Sequence, residues 1–188
     1  MNYLVFDTET TGFPHKDKPA DYPGQARIVQ LACMLLDGKF NERAVFKTLI
    51  KPAGWFIQPG AQAAHGISLE ECEQYGIPIK DAIATFNQMQ NMCDVKVAHN
   101  IKFDNQMLMI EQTLVADVPV PVDEFCTMNA TTDICCIVGK MPGKYKWPKL
   151  SEAYRYLFEE ELVGAHDALV DVRACARIYK RLQLAPAP

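Results

Sequence analysis

The sequence predicts an α/β fold: a mixed five-stranded sheet flanked by helices. Three observations carry this prediction. Strand-like segments come first and are joined by short connections, strands and helices then alternate, and no repeat, low-complexity tract or linker interrupts the pattern. "NYLVFDTE" is consecutively apolar with little alternation, which predicts a buried first strand. "PHKDKPADYPGQ", rich in Pro, Lys and Asp, is loop. "ARIVQLACMLLD" is a second strand, "DGK" a turn and "RAVFKTLIKP" a third strand; connections this short favour an antiparallel meander. Helical material follows "PAGWFIQPGAQAAHGIS", where Ser68 and Glu71 have the spacing of a capping box. "IKDAIATFNQMQNM" places Ile79, Ile83, Phe86 and Met89 at helical spacing. "DVKVAHN" is a short fourth strand, and "IKFDNQMLMIEQTL" a helix that Asn100 is expected to cap. A fifth strand lies within "VPVPVDEFCTM", and further helices start near Thr127, Lys149 and Asp167.

The 188 residues, 49% hydrophobic and 22% charged, make one domain-sized unit over 1–188 with material for a single core. No segment approaches the ~18 to 20 uninterrupted apolar residues of a membrane helix. "MNYLVFD" has neither a basic region nor a cleavage site, so the expectation is a cytoplasmic protein with no membrane partner. The seven cysteines (Cys33, Cys72, Cys93, Cys126, Cys135, Cys136 and Cys175) are odd in number, form no CxxC pair and sit mostly among apolar neighbours. They are expected to be reduced thiols, with neither a disulfide framework nor a zinc site. The net charge of −4 argues against a protein that coats duplexes through many phosphate contacts, yet admits an enzyme engaging a few nucleotides.

The placement of the acids points to chemistry. Asp7 and Glu9 stand two apart at the end of the first strand, so they share one face beside a core. Two carboxylates ~6 Å apart repel by roughly 3 kcal/mol at an effective dielectric near 20. Asp171 has apolar Ala168, Cys175 and Ile178 at i−3, i+4 and i+7, which puts it on the inward stripe of its helix; the plain alternative is a carboxylate paired to a buried cation. Asp104, beside Phe103, Met107 and Leu108, borders an apolar face, although an acid in a first helical turn also suits the helix dipole. Four such acids at −4 are balanced by two divalent cations, and hard oxygen ligands select Mg²⁺ or Mn²⁺. His166, just outside the start of the last helix if Asp167 caps it, is a loop imidazole suited to taking a proton from water.

"FDTETTG" (Phe6 to Gly12), "AHNIKFD" (Ala98 to Asp104) and "HDALVD" (His166 to Asp171), in that order and with "HGI" at His65 to Ile67, resemble the motifs of the DEDDh (DnaQ-like) 3′–5′ exonucleases. That family includes the bacterial replicative proofreading subunit, ribonuclease T and oligoribonuclease. The resemblance runs from Asp7 to Asp171. It implies a ribonuclease H-like sheet with strands 4 and 5 parallel to strand 1. It implies metal ligation of two ions by Asp7, Glu9, Asp104 and Asp171, with His166 as general base. Thr10, Gly12 and Phe13 are then expected to contact the terminal nucleotide, and His65 and Asn100 to line the same cleft.

The expected partner is the 3′ end of a single-stranded nucleic acid. DNA is favoured over RNA because the first motif and the "HGI" loop look closer to the DNA-trimming branch. The loop after the first motif looks longer than in compact members of the family. "LQLAPAP" ends the sequence where the replicative subunit carries a polymerase-binding extension, so a free-standing enzyme without stable polymerase tethering is expected. "GKMPGKYKWPKL" holds Lys140, Lys144, Lys146 and Lys149 among Tyr145 and Trp147 with no acid, and is either a substrate contact or a solvated loop before a helix. Three rival functions are an exoribonuclease of the same family, a silent strand-end-binding module and a haloacid dehalogenase-like phosphatase. The last would use Asp7 as nucleophile with Asp167 and Asp171 as a late acidic pair. Such a pair should follow an apolar strand, which "FEEELVGAHD" is not.

Overall fold

The computed structural model describes residues 1–184. The final residues of "LQLAPAP", 185–188, on which the expectation of a free-standing enzyme partly rested, lie outside the described residues.

Five strands form one sheet: β1 (Tyr3–Thr10), β2 (Ile28–Leu36), β3 (Glu42–Leu49), β4 (Val95–Ala98) and β5 (Asp123–Cys126). Their order is β3-β2-β1-β4-β5. β1, β2 and β3 pair antiparallel, whereas β4 runs parallel to β1 and β5 parallel to β4. This is the mixed sheet expected from short connections followed by helical crossovers.

Alternation along β1 divides the molecule. Leu4 and Phe6 point into a core shared with Ile83 and Phe86 of α3 (Ile79–Gln90) and with Met107 and Leu108 of α4 (Ile101–Val115). Tyr3 and Val5 point the other way, onto Ala168, Val172 and Cys175 of α7 (Ala168–Leu184). β2, covered on both faces, is buried at every position, and edge strand β3 is largely exposed. No helix among the described residues is long and apolar enough to cross a membrane.

The remaining helices are α1 (Pro59–His65), α2 (Leu69–Tyr75), α5 (Thr127–Cys135) and α6 (Leu150–Phe158). The Ser68–Glu71 capping box opens α2 with both reciprocal bonds. Asn100 does precede α4, but its backbone is left-handed (φ 75°) and its side chain caps nothing, so the expected side-chain cap is corrected. An asparagine tolerates that conformation, and the backbone rather than the amide turns the chain from β4 into α4. Asp167 does cap α7: its Oδ1 accepts from Leu169 N (3.0 Å) and Val170 N (3.3 Å). The cysteines are free, and only Cys136 is exposed.

Candidate active site

The site is built on the carboxyl-terminal half of β1 and on the residues that follow β4, the edge of an α/β sheet where a ligand can be embraced by loops and helix starts. Asp7 and Glu9 continue the β1 face that Tyr3 and Val5 begin, so both turn toward α7. Opposite them on β2 stand Ala32 and Gln30. From the other face, Asp104 in the first turn of α4 is 2% exposed, and its Oδ1 accepts from both the N–H (3.1 Å) and the hydroxyl (2.8 Å) of Thr8.

α7 supplies Asp171, also buried. Its Oδ2 accepts from the backbone N–H of His166 (3.1 Å), and its buried Oδ1 has no hydrogen-bond partner among the described residues. His166 is left-handed (φ 71°) and exposed, immediately before the Asp167 cap. This bend brings the His166 ring, Glu9 and Asp171 together, with one ligand atom from each within 4.8 Å of the others. β2 and β3 hold the segment in place. Gln30 Oε1 accepts from Ala168 N (2.8 Å), and Lys47 forms an ion pair with Asp167. Because Asp167 and Asp171 open a helix rather than follow a strand, the late acidic pair of a haloacid dehalogenase-like phosphatase is not reproduced.

A cleft of about 470 Å³ joins these groups. All ten residues singled out by the sequence line it: Asp7, Glu9, Thr10, Gly12, Phe13, His65, Asn100, Asp104, His166 and Asp171. Thr10 is buried with its hydroxyl donating to the Gly12 carbonyl (2.8 Å). Phe13 is 82% exposed and meets Phe103 edge to face (centroids 6.1 Å apart), an apolar lip at the mouth. Gly60, Ala61, Ala64 and His65 of α1 line the same cleft. His65 Nδ1 accepts from Ile67 N (3.0 Å), while its buried Nε2 has no hydrogen-bond partner among the described residues. Burial, and then the nearby His166, hold the His65 imidazole below its ordinary range against the opposing pull of the Thr10 backbone.

The sequence reading missed Gln58, His99, Phe103 and Leu150 on the walls. Gln58 lies so close over Gly12 that a Cβ there would sit 2.6 Å from its amide carbon. Gln58 N also donates to the Thr11 carbonyl (3.0 Å), which joins α1 to the first motif. A hydrophobic pattern cannot reveal such a contact. The glycine three residues after Glu9 was the available signal, since it permits close approach.

The acid cluster is electrostatically incomplete. Burial is the largest influence on each carboxyl, and the neighbouring acids add to it. Asp7 is held well above the ordinary carboxylate range, by burial and then by Asp104, Asp171 and Glu9. Glu9 is pushed up to about 8 by burial, Asp171 and Asp104. Asp104 is pushed up to about 7 by burial, although the Thr8 bonds oppose this. Asp171 is raised by burial, partly offset by the His166 N–H. Among the described residues, no lysine or arginine forms an ion pair with any of the four. The alternative of Asp171 paired to a buried cation is therefore not found among them. A partnerless buried oxygen amid hard oxygen donors is what a divalent cation would satisfy, so the residues present fit such an ion.

Known proteins resemble this chain in sequence and in fold. Residues 4–179 match the family model described as Exonuclease (RNase T). A DNA polymerase III subunit epsilon-like protein of Rhodobacter capsulatus is 30% identical over 185 residues, which are 97% of this chain and 24% of that protein. E. coli exonuclease I in complex with a dT13 oligonucleotide has a similar fold, with a TM-score of 0.78 at 20% identity over 97% of this chain and 41% of that one. The zinc ion bound form of the E. coli ExoI–ssDNA complex gives 0.77 at 21% identity over 97% and 41%. The chain thus spans about a quarter of the relative and about two-fifths of each of these structures.

Proposed function

The chain belongs to the RNase T exonuclease family, and on that premise we propose that it is a 3′–5′ exonuclease acting on single-stranded DNA and releasing nucleoside 5′-monophosphates. One observation carries the reading: acids from β1, α4 and α7 converge on one cleft with a histidine beside them, and among the described residues no lysine or arginine pairs with any of them. DNA as the substrate is supported by the oligonucleotides bound to exonuclease I and by the name of the epsilon-like relative.

Asp7, Glu9, Asp104 and Asp171 would hold two divalent cations, Mg²⁺ or Mn²⁺. When bound, such a pair acidifies the attacking water and neutralises charge developing on the phosphate and the departing oxygen. Phe13 packs against the terminal base or sugar, and the backbone around Thr10 and Gly12 holds the last nucleotide. His65 and Asn100 border that nucleotide. His166, exposed at the rim, takes the proton as water oxygen bonds to phosphorus. The bond from phosphorus to the 3′ oxygen breaks in line, and that oxygen leaves with a proton from solvent. The small residues of α1, Gly60, Ala61 and Ala64, leave room for the terminal nucleotide against the cleft wall. The catalytic unit is one domain spanning 1–188.

The test is 5′-labelled single-stranded DNA, with a matched RNA, incubated with Mg²⁺ or Mn²⁺ and then with EDTA. Laddering of DNA from the 3′ end in metal alone is expected. Cutting that persists in EDTA would sink the reading, and faster digestion of RNA would reassign the substrate.

A further inference from the structure

The lysine-rich stretch that precedes α6 lies outside the acid cluster, and the mechanism makes no use of it. Residues 137–146 fold back as a hairpin: Gly139 N donates to the Lys144 carbonyl (3.2 Å), Lys146 N to the Ile137 carbonyl (2.9 Å), and Val138 bridges Tyr145. Gly143, at φ 74°, allows the tip to turn. The root of the hairpin is fixed to the cleft. Pro148 is buried, its carbonyl lies 3.0 Å from His99 Nε2, and both His99 and the following Leu150 line the cleft wall. Trp147, three residues before Leu150, therefore stands within about 11 Å of that wall along the chain.

The hairpin carries charge opposite in sign to the rest of the molecule. Lys146 is paired with Glu152 (2.6 Å), an acid outside the stretch, so it is not one of the available cations. Lys140, Lys144 and Lys149 are exposed, and among the described residues none of them is ion-paired. Beside them Trp147 is 68% exposed and Tyr145 47%. An exposed indole next to unpaired ammonium groups, in a chain of net charge −4, suits a ligand that is both anionic and aromatic.

We propose that this hairpin, together with Trp147 and Lys149 that follow it, is a second binding surface for the single strand whose 3′ end enters the cleft. Lys140, Lys144 and Lys149 hold phosphates upstream of the terminal nucleotide, and Trp147 offers a face on which an upstream base stacks. The inference rests on the exonuclease reading for the direction of the strand, while its binding chemistry can be measured without hydrolysis.

The experiment is equilibrium binding of 5′-fluorescein dT15 in EDTA, by anisotropy, across a salt series. It compares wild type, the triple variant Lys140→Gln/Lys144→Gln/Lys149→Gln, Trp147→Ala and Trp147→Phe. All changed side chains are exposed, and melting curves verify that the variants fold. The triple variant is expected to bind about tenfold more weakly, with its salt dependence (log Kd against log salt) reduced by about 2 for three lost phosphate contacts. Trp147→Ala is expected to bind at least fivefold more weakly, and Trp147→Phe to recover part of the loss. Affinity and salt slope unchanged in the triple variant and in Trp147→Ala would overturn the proposal. Strand degradation by wild type, followed separately in Mn²⁺, distinguishes the failures. Degradation with hairpin-independent binding overturns this surface alone; hairpin-dependent binding without degradation supports the surface and overturns the exonuclease reading.

Discussion

Replacement of Glu111 should be among the most damaging single changes outside the acid cluster. Its side chain is buried on α4 and accepts three hydrogen bonds, from Arg27 Nε (2.9 Å), Arg27 Nη2 (2.7 Å) and Ile28 N (3.1 Å). Arg27 in turn holds the first motif: Thr11 N donates to its carbonyl, and its own N–H donates to the Thr11 hydroxyl, both at 2.9 Å. Glu111→Leu keeps the volume but strands a guanidinium that is only 19% exposed and leaves a buried N–H unpaired. Removing one partner of a buried pair costs about 3–5 kcal/mol. For a chain of this size that is a fall in Tm of roughly 6–20 °C. Urea denaturation should show a lower midpoint with an unchanged slope, because the surface exposed on unfolding stays the same. The double variant Arg27→Met/Glu111→Leu removes both charges and should regain most of the loss. A single variant within about 1 kcal/mol of wild type, or a double variant no better than the single, would refute the reasoning.

Other expected outcomes concern the site. His166→Ala should lower kcat by about 10² to 10⁴ while strand affinity changes by less than about twofold, and a change confined to affinity would reassign the residue. Lys47→Met releases Asp167 from its ion pair; both partners are more than a third exposed, so stability should move by no more than about 1 kcal/mol. The same variant should lower kcat several-fold through the adjacent His166, and unchanged kinetics would show that Gln30 and the helix cap suffice. Without metal, stability should fall as pH rises. Glu9 is pushed up to about 8 and Asp104 to about 7, so between about pH 4.5 and those values the folded chain binds more protons than the unfolded one. Each carboxyl protonated only in the fold then lowers the unfolding free energy by about 1.4 kcal/mol per pH unit. The EDTA-treated protein should melt higher at pH 5 than at pH 8, and added Mn²⁺ should raise Tm more at pH 8. A melting point that rises over that range would contradict the reading.

The centre of the sheet was legible because β1 and β2 are apolar in consecutive runs and the connection from β2 to β3 is short. The convergence of the acids was legible too, since the i, i+2 spacing of Asp7 and Glu9 and the apolar neighbours of Asp171 depend only on local periodicity. α1 escaped because none of its residues is buried, which leaves no stripe to detect. Pro59 at its start and left-handed Gly66 at its end were the available signals. The left-handed bend at His166 leaves no pattern at all, although it places the ring beside Glu9 and Asp171. The groups that steady the site are remote in sequence: Lys47 from Asp167 by 120 residues, Gln30 from Ala168 by 138 and Arg27 from Glu111 by 84. Such pairings are made by the fold and have no local signature.

The central claim is that four mutually repelling carboxylates share one cleft because divalent cations occupy the space between them. Calorimetric titration of metal-free protein with Mn²⁺ near pH 7.5, beside Asp7→Asn and Asp171→Asn, tests it most directly. The expected result is two ions bound per chain with release of protons, and loss of at least one ion in each variant. Failure of the wild type to bind Mn²⁺, or variants that bind as it does, would contradict the account.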